Sequence, residues 1–272
     1  MTYGARSVTV TLGDGQKTIC DKYGERGPVL LCVHGISSSR LTWARLGERL
    51  AGSYQVYSYD QRGHGDSAGV LGPMTIERSV RDLVTVASLL PTVDLIVGHC
   101  WGGAVALASV RLLDPVRVLA LDPIIRIRPG TYEREYVNPD VRVLFGTEGI
   151  HREARIREKT GALDPLDGDA DVHAMRDMSL AVIERLGTHN SAEEGGWDLR
   201  DRVVDFPYPL TIVRAGVDSV VSDDDADFLL QRGGKNVKLN VFEGEGHSLH
   251  RSAFERVAAL AADLAERRVP AQ

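Results

Sequence analysis

A chain of 272 residues with 43% hydrophobic and 26% charged residues is long enough for one large globular domain carrying an insertion. A formal net charge of −6 gives no extended basic footprint, so neither nucleic acid nor an anionic membrane is an expected partner. Met1 to Gly13 lack the pattern of a secretory signal, no apolar run is long enough to span a bilayer, and Cys20, Cys32 and Cys100 show no C-x-x-C spacing; the expectation is a cytoplasmic protein without disulfides, metal or cofactor, its oligomeric state open.

In chain order, Ser7 to Leu12 and Lys17 to Asp21 flank Gly13-Asp14-Gly15 and predict an antiparallel hairpin. Val29 to Val33 is continuously apolar, as a central parallel strand is, and ends at His34-Gly35-Ile36-Ser37-Ser38-Ser39. A glycine directly after a buried strand lets the backbone turn closely around a ligand, which makes the Ile36 N–H a candidate oxyanion donor. The competing reading is an ordinary turn with His34 bonded to backbone. A helix is predicted over Leu41 to Leu50 and a strand over Gln55 to Tyr59. The polar loop Asp60-Gln61-Arg62-Gly63-His64-Gly65-Asp66-Ser67 is read as a lock on neighbouring loops in preference to a substrate contact. Thr75 is a good N-cap for a helix with Ile76, Val80, Leu83, Val84 and Ala87 on one face.

The stretch with most chemical content follows. Leu95-Ile96-Val97 predicts a strand buried on both faces and Ala104 to Leu113 a buried helix, joined by Gly98-His99-Cys100-Trp101-Gly102-Gly103. Glycines at 98 and 102 permit the sharp reversal, with Cys100 at its apex. A helix N-terminus beside an apical thiol favours thiolate and offers amide N–H groups, that of Trp101 among them, to a developing oxyanion. By itself the spacing fits a structural cysteine in a packing turn equally well.

Val116 to Leu121 predicts another strand, ending in Asp122-Pro123. Residues 124–202 interrupt the strand–helix alternation with a charged segment, read as loop over Gly161 to Asp171 and as helix over Met175 to Leu186. Tyr132, Tyr136, Phe145, His151, His173, His189 and Trp197 either line a pocket there or pack the insertion, and its histidines lack H-x-x-x-H metal spacing. Leu210 to Val213 and Lys238 to Phe242 predict the last strands; the first leads to Asp218-Ser219 and a helix capped by Ser222, the second to Gly244-Glu245-Gly246-His247. A closing helix is expected over Ser252 to Arg267.

Through His34-Gly35, Asp60 to Ser67, the turn at 98–103 and Gly244 to His247, the sequence resembles the α/β-hydrolase superfamily. The resemblance implies an α/β fold, a mostly parallel sheet flanked by helices, with a core of residues 1–123 and 203–272 and an inserted cap of 124–202. Nucleophile, acid and histidine follow in that chain order in this fold, which Cys100, Asp218 and His247 satisfy. Asp122 is a second candidate for the acid, but Pro123 and the start of the insertion favour a hinge role for it, so Asp218 is preferred. His250 lies past the glycine-bounded loop and His99 is read as a packing residue.

Cysteine in place of the usual serine narrows the chemistry. A thiolate attacks well but also leaves well, so the tetrahedral intermediate reverts unless the substrate's own leaving group is good. This points to a small-molecule acyl substrate of the thioester, enol or aryl ester, or activated lactone type. In its elbow the chain is similar to the dienelactone hydrolases and polyester synthases, which also use cysteine. Three alternatives stand beside the hydrolase: an acyltransferase or cyclase using the same acyl-enzyme, a serine esterase whose nucleophile has been replaced by cysteine, and a non-catalytic ligand receptor on a hydrolase fold.

Overall fold

Eight strands form one sheet in the order β1-β2-β4-β3-β5-β6-β7-β8 in the computed structural model, which describes residues 4–69, 72–113, 116–127, 149–160, 163–176, 178, 180–190, 197–204 and 206–266. The predicted hairpin is β1 (Arg6–Thr11) with β2 (Lys17–Tyr23), and both β1–β2 and β2–β4 pairings are antiparallel. All other pairings are parallel, joining β3 (Val29–Val33), β4 (Gln55–Tyr59), β5 (Leu95–His99), β6 (Arg117–Leu121), β7 (Leu210–Ala215) and β8 (Val237–Phe242).

The continuous apolar strands are explained by burial on both faces. Leu31, Ile96, Val118 and Ala120 enter one core beneath α2 (Ile76–Ser88) and α3 (Trp101–Ser109), while their neighbours Leu30, Leu95, Val97 and Leu119 enter another beneath α1 (Ala44–Leu50) and a late helix. Thr75 caps α2 as expected, accepting from Arg78 N.

Between β6 and β7 stand α4 (Gly149–Thr160), α5 (Pro165–Arg176), α6 (Leu180–His189) and α7 (Arg200–Val204). Helix α5 corrects the sequence reading, which expected loop through Asp171. Asp164 accepts from Leu166 N at 3.0 Å and Pro165 occupies the first helical position, a favourable start that the glycines at 161 and 168 obscure. Its buried side includes Asp167 and Asp171, which meet Arg45 at 3.4 Å and, in a two-pronged pair, Arg251 at 2.7 and 2.5 Å. At its other end Arg152 of α4 reaches the carbonyls of Arg176 and Met178 at 2.9 and 2.7 Å. The chain closes with α8 (Asp223–Arg232), the short α9 (Leu249–Ser252) and α10 (Phe254–Glu266). Arg267, the expected end of the last helix, lies outside the described residues, as do Tyr132, Tyr136 and Phe145.

The strand order fixes where a site can form. From β3 the chain moves outward to β4 and then returns to add β5 on the opposite side, so the crevice at the carboxyl ends of β3 and β5 is a topological switch point. Val33 is in register with Gly98, which sets the loop after β3 level with Cys100.

Candidate active site

Cys100 sits between β5 and α3 with φ 54° and ψ −116°, a strained region for a residue with a Cβ. The turn is held by Cys100 N donating to Leu121 O at 3.0 Å and by Ala104 N donating to Cys100 O at 3.1 Å. The glycines around it are required by contact as well as by torsion: a Cβ at Gly98 would meet Gly102 O at 2.4 Å, and one at Gly102 would meet Val33 O at 2.2 Å. Trp101 is the first residue of α3, so its N–H has no partner within the helix. A Cβ at Gly35 would stand 3.1 Å from Cys100 Cβ, so the segment leading to Ile36 lies against Cys100.

His247, half-buried in the loop after β8, is hydrogen-bonded on one side to the Cys100 side chain and on the other to a carboxylate. That carboxylate is Asp122. Its Oδ2 accepts from His247 Nδ1 at 2.6 Å, from a position with no exposed surface. Asp218, preferred from the sequence, is exposed and is not the partner, which corrects the expected assignment. The reason is the distribution of hydrogen-bond donors. Asp122 directly follows β6 with φ 42°, and the end of β7 and the turn after it wrap around it: Ala215 N donates at 3.1 Å to Oδ1, Ser219 Oγ donates to the same oxygen, and Val220 N donates at 3.1 Å to Oδ2. A carboxylate with four donors is stabilised as an anion, and although burial acts in the opposite sense, His247 and Ser219 hold Asp122 below the usual carboxylate range. The hinge assigned to Asp122 is thus a buried anion site, and the loop that was to supply the acid supplies its cradle.

The electrostatics of His247 follow. Burial alone would lower its pKa; the Cys100 sulfur and the Asp122 carboxylate outweigh it and raise the imidazole to about 10. Cys20 and Cys32 are, like Cys100, buried free cysteines; desolvation pushes the Cys20 thiol up to about 12 and the Cys32 thiol higher still.

The other polar residues singled out from the sequence are accounted for structurally. His34 Nδ1 donates to Gly35 O at 2.7 Å and its Nε2 accepts from Gln61 N at 2.9 Å, the turn-fixing role weighed above. In the loop after β4, Asp60 receives Arg40 N at 2.8 Å and Arg40 Nη1 at 2.5 Å, while Arg62 spans Asp82 and Asp14 at 2.8 and 3.1 Å. His173 links Ser39 and Asp66, each at 3.2 Å, His189 accepts from Met74 N at 3.1 Å, and Trp197 packs edge-on to Trp101 with ring centroids 6.0 Å apart. A cavity of about 370 Å³ beside α4 and α5 is lined by Arg40, Asp66, Glu153, Arg157, Asp169 and His173 among others, and its described lining includes neither Cys100 nor His247. Among the described residues no group of three or more His, Cys, Asp or Glu is arranged to hold a metal, and no helix is long and apolar enough to cross a membrane.

The fold recurs in known proteins. A profile of the alpha/beta hydrolase family matches residues 30–260. The chain belongs to that family. A pimeloyl-[acyl-carrier protein] methyl ester esterase from Xanthomonas oryzae pv. oryzae is 34% identical over 178 residues, covering 65% of this chain and 68% of the esterase. The dihydrolipoyllysine-residue acetyltransferase component of the acetoin cleaving system of Pseudomonas putida is 26% identical over 253 residues, 86% of this chain; the chain spans 62% of that protein's length. In structure, an E-2-(acetamidomethylene)succinate hydrolase superposes with a TM-score of 0.77 at 20% identity, covering 97% of this chain and 100% of the hydrolase. The structural likeness shows the fold, an α/β-hydrolase fold. Esterases, methylesterases and an enol-lactonase stand among the proteins the chain resembles.

Proposed function

We propose that this α/β hydrolase cleaves an activated carboxylic ester, thioester or lactone through an acyl-cysteine intermediate, beneath a cap formed within residues 124–202. The observation that carries the reading is the contact line from Asp122 through His247 to Cys100 at the switch point of the sheet. Cys100 is the nucleophile, His247 the general acid and base, Asp122 the group that orients the ring, and the N–H groups of Ile36 and Trp101 the oxyanion donors.

A cationic His247 beside the sulfur favours a thiolate. The sulfur bonds to the acyl carbon, the carbonyl electron pair moves onto oxygen, and on collapse the leaving group departs with the proton of His247. Acylation removes the charge on sulfur, which is the largest influence raising His247, so the ring that has given its proton to the leaving group stays neutral and its free nitrogen can accept a proton from water as the water attacks. Water attacks, the C–S bond breaks, and acid and thiolate are released. The proximity of esterase and lactonase relatives supports ester chemistry, and the leaving-group argument supports activated members of that class.

The test is intact-protein mass after brief exposure to aryl esters, acyl thioesters and enol lactones, with Cys100→Ala and Cys100→Ser in parallel. A transient adduct confined to Cys100, with product released by the parent and none by the alanine variant, is the expected result. A stable adduct on the parent with turnover only by Cys100→Ser overturns the thiol mechanism in favour of serine chemistry. Product from the parent with added alcohol or amine but not with water assigns acyl transfer instead of hydrolysis.

A further inference from the structure

His99, the residue before the nucleophile, contacts the base as well as the core. Its Nε2 lies 3.0 Å from the backbone oxygen of His247. A carbonyl oxygen only accepts, so His99 Nε2 carries the hydrogen and Nδ1 is the bare nitrogen. The His99 ring stands between two others, 4.6 Å from His247 and 4.4 Å from His250, and His250 in turn is 5.2 Å from Trp43. On its Nδ1 side it meets the loop after β3, where a Cβ on Gly35 would approach to 3.1 Å. One side chain thus touches the loop carrying His247 and the loop leading to Ile36, and is bonded through the chain to Cys100.

Resting on the reading of Cys100 and His247 as a reactive pair, we propose that His99 is a positioning residue whose Nε2–H tethers the His247 carbonyl and so holds the His247 ring at hydrogen-bond distance from Cys100. The carbonyl also accepts from Leu249 N at 2.9 Å, but that bond is internal to the same segment and ties it to nothing else. The bond from His99 joins the backbone of the base to β5, the strand that leads to the nucleophile.

The surroundings keep the His99 ring neutral, and in the neutral ring the His247 carbonyl fixes the tautomer with the hydrogen on Nε2. Burial first, then the cationic His247, lower His99 to about 3. The groups around the pair are Cys100 and Asp122 on the His247 side, and on the far side His250 and Arg251, the latter neutralised by Asp171. His250 is itself held well below the usual imidazole range by burial and by His99, and its Nε2 meets Thr42 Oγ1 at 2.9 Å. Neither far-side group competes with the His247 carbonyl for the His99 Nε2–H.

The experiment uses the full chain with His99→Gln, His99→Asn and His99→Leu, each checked for fold by circular dichroism. It reads the rate of Cys100 alkylation by iodoacetamide at pH 7, from intact mass, and the His247 titration by NMR of histidine-labelled protein. A glutamine amide reaches the place of Nε2, whereas asparagine ends near Nδ1 and leucine offers no donor. The expected result is alkylation within about threefold of the parent for glutamine and slowed about tenfold or more for asparagine and leucine, the His247 midpoint falling in the slowed pair. Folded asparagine and leucine variants that alkylate and titrate like the parent overturn the tether, as does glutamine slowed equally with them. If leucine prevents folding, the asparagine and glutamine variants decide alone, since both are polar and differ in reach. His247→Ala separates the two readings: parental alkylation there sinks the reactive pair itself, whereas slowing there but not at residue 99 sinks only the tether.

Discussion

Asp122 and Asp218 follow neighbouring parallel strands and both have positive φ, at 42° and 52°; their surroundings separate them. Asp122, directly after β6, is completely buried, and the last residue of β7 and the turn after it donate three hydrogen bonds to it, while Asp218, in that same turn, is exposed. Position along the chain nominates an acid; a convergence of donors on one carboxylate selects it.

The sharpest way to break the comparison is to neutralise each aspartate in turn. Asp122→Asn is expected to lower kcat/KM for an aryl ester by about a thousandfold or more, since the amide loses the charge that stabilises the imidazolium and favours the wrong tautomer. Asp218→Asn is expected to stay within about twofold, its stability within about 0.5 kcal/mol of the parent. Equal losses at the two positions in steady-state kinetics sink the assignment of Asp122.

A second comparison uses pH. His247 is raised to about 10, above the ordinary imidazole value of about 6.5 in the unfolded chain, so its contribution to stability is fully present below about pH 6.5 and is lost as pH rises through about 10. Asp122 is lowered, so its contribution is present above the usual carboxylate value of about 4 and is lost as pH falls through its lower folded value. Thermal melts from pH 6 to 10 should therefore show the parent losing Tm relative to His247→Gln. Because the Cys100 sulfur is the largest influence raising the ring, Cys100→Ala should lower the His247 NMR midpoint. An unmoved midpoint contradicts the contact between sulfur and imidazole.

The smallest expected effect refines the cradle. Ser219→Ala removes one of the two donors to Asp122 Oδ1 and leaves Ala215 N in place. A loss of about 1 kcal/mol in denaturant unfolding, with kcat/KM reduced far less than in Asp122→Asn, is expected. A loss in kcat/KM as large as that of Asp122→Asn makes Ser219 a primary member of the site.

What could be read from sequence follows the same division. Strands buried on both faces announce themselves as unbroken apolar runs, and the elbow glycines mark a turn that other residues cannot make, so the sheet and the tight turn at Cys100 were legible. The loop that carries His247 was legible from its glycines. The carboxylate that His247 bonds to was not, because its cradle consists of backbone N–H groups at 215 and 220 and of Ser219, nearly a hundred residues away in the chain. Helix α5 was hidden for a related reason: its buried side includes Asp167 and Asp171 matched to Arg45 and Arg251, and the apolar period that identifies a helix is blurred there. His99 was read as packing. Its ring does pack, but its bond to the His247 carbonyl leaves no trace in spacing.

The backbone at Cys100 carries a further consequence. The sulfur reaches the mouth of the sheet only because the residue bearing it is held at φ 54°, ψ −116°, a conformation that every side chain with a Cβ resists and glycine accepts. Glycine fits this backbone best and brings no nucleophile. On the proposed thiol mechanism, the residue that folds with least resistance at this one position is the residue that cannot react, and stability and reactivity pull in opposite directions on a single side chain.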